Sequence, residues 1–296
     1  MENKKSSQTL IFCMAMVSIL SWAANYPATR YVLQYYSPGS IAMLRALIAA
    51  AILLTVAFAR KTRLPEKKDL PRIVIAGFVG IFMFNVSMNI GASYVVSGVG
   101  SFIINSAPVF TLILSRLFLK EIVKPACWIG VMISFCGLVT VMMSQTTGFT
   151  LNIGVFILLI CALAHSSYNV ILRGLLKTYT FLETATYTVT TAAVFFLTLT
   201  PLFVRDLPNR PPLSANLVVF LMGIFPAGLA YLTWGYALSK AEKTTHVTVF
   251  LYLTPFLATL IGFLWLGEPI YLLSIMGGVV IIGGMVLTNT LGRSKK

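Results

Sequence analysis

Along the chain, apolar runs about as long as a bilayer is thick alternate with short polar breaks. The runs lie at 10–30, 38–59, 72–92, 97–119, 126–144, 152–175, 181–204, 215–238, 245–266 and 270–290. Each is near the ~20 residues a helix needs to cross hydrocarbon. The separators Ser37-Pro38-Gly39, Thr147-Gly148, Pro208 with Pro211-Pro212, and Gly267-Glu268-Pro269 are rich in helix breakers. The pattern predicts an all-α integral membrane protein of ten transmembrane helices, with no soluble domain.

The pattern is written twice. A shift of 147 residues lays Ser97–Glu121 over Thr244–Glu268, so that Pro108 meets Pro255, Leu117 meets Leu264, Leu119 meets Leu266 and Glu121 meets Glu268. The same shift carries Gly130 onto Gly277 and Gly137 onto Gly284. Near the start, a shift of 143 lays Trp22–Leu33 over His165–Leu176, with Arg30 on Arg173. Self-similarity at a fixed period marks a repeat architecture. The expected units are 1–146 and 147–296, five helices each. Leu10–Ala24 has the look of a signal-peptide core, but its run continues to Arg30 and has a later twin, so it is expected to stay as a first helix.

Charge orients the repeats. The 296 residues are 58% hydrophobic and only 10% charged, with a net charge of +14. With the N-terminus inside, 18 of the 22 Lys and Arg fall on one side: Lys4 and Lys5, the cluster Arg60 to Arg72, Arg116, Lys120, Lys124, Arg173, Lys177, Lys240, Lys243, and Arg293 to Lys296. Arg30, Arg205 and Arg210 fall on the other side, and Arg45 lies two turns into the second helix. Cytoplasmic loops collect Lys and Arg, so both termini are expected in the cytoplasm. This placement also argues against nucleic acid as the partner of so basic a chain. Five spans per repeat is odd, so the second copy is inverted. Inverted repeats mark secondary transporters, with a midplane site and alternating access between the repeats. The cysteines Cys13, Cys127, Cys136 and Cys161 all lie in apolar runs without a CxxC pair. They read as small buried apolar residues, and no metal or cofactor is implied.

At this point the chain resembles the drug/metabolite transporter superfamily, in its EamA-type branch of bacterial exporters. The resemblance is carried by SWAANYPATRYVL with PGSIAMLR, and by NIGASYVVSGVGSFIINSAPVFTLILSRLFLKE with its twin YALSKAEKTTHVTVFLYLTPFLATLIGFLWLGEP. It continues in the closing helices GVMISFCGLVTVMM and GGVVIIGGMVLTN. It covers nearly the whole chain. It implies a ten-helix inner-membrane carrier that exports amino acids or related small metabolites through a central cavity. One departure is His165 at the position matching Trp22, where family members commonly carry tryptophan.

Polar side chains at membrane depth usually face the bundle interior or a water-filled cavity. Ser101, Asn105 and Pro108 share a face of the fourth helix, and Thr248, Tyr252 and Pro255 share the matching face of the ninth. Each proline is expected to free a carbonyl, that of Ile104 or Leu251. These faces are expected to line the substrate path. The first helix adds Ser18, Trp22, Asn25, Tyr26 and Thr29, the third Asn85 and Asn89, the sixth His165, Tyr168 and Asn169, and the eighth Tyr231, Trp234 and Tyr236. Together they supply amides and hydroxyls between aromatic walls, suited to an amino acid or similar zwitterion. Trp234 is either such a wall or an interface anchor, and His165 either a packing residue or a proton relay. Arg45 either meets a substrate carboxylate or snorkels to the interface.

No acid occupies the middle of any span, whereas proton-driven carriers commonly use a buried carboxylate. Movement down the substrate gradient is therefore expected. Glu121 and Glu268 close their helices against the macrodipole, so they are expected to cap the helix that follows, with a gating contact as the alternative. The glycines of helices 5 and 10 allow close helix approach, within the monomer or as a homodimer face. An integral-membrane enzyme would need clustered His, Asp, Glu or Cys at depth. A nucleotide-sugar exchanger would need several cavity cations, and a drug or cation carrier is a further alternative.

Overall fold

The computed structural model describes residues 2–92, 94, 103–143, 152–267 and 270–291. Every regular element among them is helical. Among the described residues, nine helices are long and apolar enough to cross a membrane: α1 (Gln8–Val32), α2 (Pro38–Ala59), α3 (Lys67–Met88), α5 (Pro125–Met143), α6 (Ile153–Leu175), α7 (Phe181–Asp206), α8 (Leu213–Lys240), α9 (Thr245–Trp265) and α10 (Leu272–Thr290). A shorter apolar helix, α4 (Ile103–Phe118), stands where the run 97–119 predicts a full span; residues 97–102 lie outside the described residues, as do Ser101 and Glu268.

The chain forms two compact units, each drawing on both halves of the sequence. One comprises 1–86 and 171–239, the other 87–170 and 240–296. In the first unit, α2 packs on α7 and α8, α3 on α7, and α1 on α8. The α2 face that does this is small: Ala42, Ala46, Ala49, Leu53 and Ala57 are buried at helical spacing, which lets helix backbones approach closely. The start of α2 is fixed chemically. Pro38 occupies its first turn and Ser37 is the N-cap, while the Ser37 backbone N–H donates to Asp206 at 2.7 Å. Thr180 and Glu183 form a capping box at the start of α7, satisfying two orphan donors reciprocally. The basic loop after α2 is tied to the loop before α7. The Tyr179 hydroxyl donates to Asp69 at 2.8 Å and accepts from the Glu66 N–H at 3.0 Å, and the Arg63 guanidinium lies over the Tyr179 ring at 4.7 Å. Burial, as the largest cause, pushes the Tyr179 phenol above its ordinary pKa.

In the second unit, α5 and α10 form the tightest pair. A Cβ on Gly130 would stand 2.7 Å from the Gly284 carbonyl oxygen, and one on Gly137 would stand 2.7 Å from that of Gly277. Between these two contacts, the Ser134 hydroxyl donates to the Ile281 carbonyl at 3.2 Å. Only glycine permits backbones this close. The opposite face of α10 carries exposed Leu272, Val279 and Val286, an apolar surface suited to lipid. Two of the cysteines depart from expectation: Cys127 and Cys161 are buried, but Cys13 and Cys136 face outward. In an apolar solvent a small thiol loses little by doing so.

Two helices are locally widened. α3 runs as π-helix over Phe78–Met83 and α8 over Phe225–Leu229. The two starts are separated by the same 147-residue shift that relates the halves of the sequence. Wider turns of this kind leave backbone groups to be satisfied from outside the helix, and they recur at functional sites.

Candidate functional site

The residues expected to line a path fall into two groups, one in each unit. The first gathers around the π-helical turns. Trp22 donates its indole N–H to the Pro226 carbonyl at 3.0 Å, and Asn85 donates to the Ile81 carbonyl at 2.7 Å. In each π segment one carbonyl is thus taken up by a side chain. The Trp22 ring stands 5.1 Å from Trp234 and 5.8 Å from Tyr231, within the range of favourable aromatic pairs. Trp234 is fully buried, which excludes it as an interface anchor. Ser18 extends the contact of α1 with α8, donating to the Ala230 carbonyl at 3.0 Å and lying 2.7 Å from the Thr233 hydroxyl. Tyr26 sits on the outer side of α1, 39% exposed.

Arg45 joins this group. Its guanidinium donates to the Asn25 side-chain oxygen at 2.8 Å, so it turns from α2 toward α1 instead of reaching along α2 to the helix end. A small cavity of about 20 Å³ lies beside it, lined by Ala42, Arg45, Ala46, Ile81, Asn85, Val189, Phe196, Ala227 and Tyr231. That volume has room for about one water molecule.

The second group belongs to α4, α6 and α9. Asn105, Tyr168, Asn169, Thr248 and Tyr252 are buried, and His165 is half-buried. Asn169 donates back to the His165 carbonyl at 3.1 Å, and the His165 and Tyr168 rings are 6.4 Å apart. Ser166 ties α6 to α4 by donating to the Ala107 carbonyl at 2.8 Å. The Tyr252 ring packs 6.5 Å from Phe135. On α4 and α9, the hydroxyls of Thr111, Thr245, Thr248, Tyr252 and Thr254 are buried with no hydrogen-bond partner among the described residues. A buried hydroxyl left unpaired costs about 1–3 kcal/mol. The side chain of Asn89 lies outside the described residues.

The two prolines stand beside interruptions in their helices. The helix breaks at Ser106, and Pro108 lies in the first turn of its continuation, Ala107–Phe118. There a missing N–H leaves no orphan. Ahead of Pro255, α9 tightens into a 3-10 turn over Val249–Tyr252 and resumes as α-helix at Leu253–Leu266. The prolines therefore restart helices. Glu121 makes a contact that is remote in sequence. Its carboxylate accepts from the Thr244 backbone N–H at 3.0 Å and the Thr244 hydroxyl at 2.7 Å. This joins it to the N-cap residue of α9, the helix that matches its own in the other half of the sequence.

The profile of the EamA-like transporter family matches residues 9–143 and again 152–290. The chain belongs to the EamA-like transporter family. This EamA-like protein is a multi-pass membrane protein. It is 34% identical over 286 residues to the uncharacterized transporter YdfC of Bacillus subtilis, covering 96% of this chain and 92% of that one. It is 30% identical over 283 residues to a protein of Streptantibioticus cattleyicolor named "Probable terminal-alkyne amino-acid exporter", covering 95% and 94%. A crystal structure with 20% identity superposes with a TM-score of 0.80 over 96% of this chain and 97% of the other, a likeness of fold.

The π-helical turns and the Glu121 contact were missed in the sequence. Pro226 inside an apolar run, with Phe225 matching Phe78 at the 147-residue shift, was the available signal for the turns.

Proposed function

We propose that this transporter exports amino acids or related small metabolites from the cell by alternating access. The proposal places it in the inner membrane with both termini in the cytoplasm, as ten spans in two inverted five-helix repeats, 1–146 and 147–296. The observation that carries the substrate class is the cluster of aromatic and polar side chains in the first unit, around a water-sized cavity. Trp22, Tyr231 and Trp234 form an aromatic wall, beside the amide and guanidinium of Asn25 and Arg45 and the amide of Asn85. Apolar walls with a few convergent polar groups are the usual form of a small-molecule site. The name borne by the Streptantibioticus relative points to the same class. The repeat reading is supported by the double match of the family profile, the paired π segments and the antiparallel glycine contacts of α5 with α10.

Asn105, His165, Tyr168, Asn169, Thr248 and Tyr252, with Ser101 and Asn89, complete the substrate path in this reading. Pro108, Pro255, Glu121 and Glu268 shape the helices that move. The protein is a carrier and not an enzyme, and it acts as a monomer or homodimer. Net movement follows the substrate gradient, because no span carries an acid at its middle. The test is counterflow in proteoliposomes against amino acids, aromatic compounds, cationic drugs and nucleotide sugars. Exchange confined to the amino-acid class supports the proposal. Exchange of only cations or only nucleotide sugars overturns it.

A further inference from the structure

Arg45 is placed where an unpaired cation is costly. It lies seven residues from the start of α2, about 10 Å along the axis, well inside a membrane-spanning helix. One guanidinium nitrogen donates to the neutral amide oxygen of Asn25. Nε is buried and makes no hydrogen bond among the described residues. The residues lining the cavity beside it include no Asp or Glu, and no second Lys or Arg. Removing an arginine from water without a counter-charge is strongly unfavourable, and intramembrane cations are kept for function, paired with a partner. Here, among the described residues, the fold supplies a fork of donors, a water-sized opening next to it, and no anion in the lining of that opening.

We infer that Arg45 is the anchor for the carboxylate of the transported molecule, which completes the ion pair that the fold leaves open. A guanidinium offers parallel donors matched to the two oxygens of a carboxylate. Asn25 holds one arm of the fork in place, and the cavity marks where an acceptor oxygen displaces a water. A phosphate would call for further cations, which this lining lacks. The body of the ligand then lies against Tyr231, which lines the cavity, and the Trp22–Trp234 pair behind it. No acid lines the cavity, so an ammonium group meets only ring faces and amides there. The site reads the carboxylate first, and it accepts carboxylates that have no amino group. The ligand class is a small carboxylate with an apolar or aromatic body. This inference deepens the export reading above and rests on it for the identity of the site.

The test uses the full chain, purified in detergent, with thermal stabilisation as the readout. The probes are L-phenylalanine, 3-phenylpropanoate, which lacks the amino group, and L-phenylalaninamide, which lacks the carboxylate. The two carboxylates are expected to raise the melting temperature, and the amide is expected to leave it unchanged. Arg45→Gln removes the response to both carboxylates, an apparent affinity loss of at least about tenfold. Arg45→Lys keeps the preference for carboxylate with weaker binding. The wild-type comparison of acid with amide stands even if a variant fails to fold. Equal stabilisation by the amide, a preference that persists in Arg45→Gln, or no stabilisation by either carboxylate overturns the inference. None of these results touches the export reading, which counterflow decides separately.

Discussion

Gly130 and Gly284 meet backbone to backbone: a Cβ on Gly284 would stand 2.5 Å from the Gly130 carbonyl oxygen, and one on Gly130 would stand 2.7 Å from that of Gly284. The 147-residue shift turns this pair into Gly277 and Gly137, which make the same contact farther along the two helices. A contact set that maps onto itself under the repeat is what a pseudo-two-fold axis between α5 and α10 would leave.

This seam predicts a sharp contrast among glycines. Gly130→Ala and Gly277→Ala each force a methyl into opposing backbone and should cost about 1–3 kcal/mol, read as a lower melting temperature in detergent. Gly283→Ala, where the added carbon meets nothing within 4 Å, should leave the melting temperature where it was. Equal effects at all three positions would remove the packing argument.

Trp22 makes a hydrogen bond to the Pro226 carbonyl that a phenyl ring cannot supply. Trp22→Phe keeps a ring against Tyr231 and Trp234 but strands the Pro226 carbonyl in the π segment of α8. The expected loss is about 1–3 kcal/mol of stability, along with reduced counterflow. Wild-type stability in Trp22→Phe would show that water satisfies the carbonyl as well.

Glu121 holds Thr244, the N-cap residue of α9, across a long sequence separation. Glu121→Ala should lower stability by about 1 kcal/mol, the usual scale for a lost cap. Glu121→Gln, which keeps an acceptor, should recover part of it. A capping role leaves the transport rate of the Gln variant near wild type. A large change in rate without a change in stability would make the contact a gate.

Asn105 and Tyr252 test the second group of polar residues. Asn105→Ala and Tyr252→Ala should abolish transport while membrane insertion stays intact, measured by counterflow and by expression in the membrane fraction. Wild-type flux in both variants would take these faces out of the substrate path.

The membrane class and the helix positions were legible because hydropathy and span length are nearly sufficient to place such helices. The repeat was legible because Pro108, Glu121, Gly130 and Gly137 each have a counterpart 147 residues on. The grouping into compact units was not. Each unit joins segments from both halves, and a linear repeat carries no record of which helices pair. The contact of Glu121 was hidden for the same reason: its partner, Thr244, is remote in sequence. The π segments were hidden because a widened turn leaves the hydrophobic pattern intact. Arg45 could be located by sequence, but its direction could not. A snorkelling and an inward-turned arginine have the same letter, and only the contact with Asn25 separates them.

The central claim is export, and the most direct measurement is release from whole cells. Cells are loaded with amino acids by feeding dipeptides, and appearance of the free amino acids outside is followed with and without expression of the protein. The account predicts faster release on expression, with the internal pool falling toward the external level and no dependence on an imposed pH difference. Release unchanged by expression would contradict it.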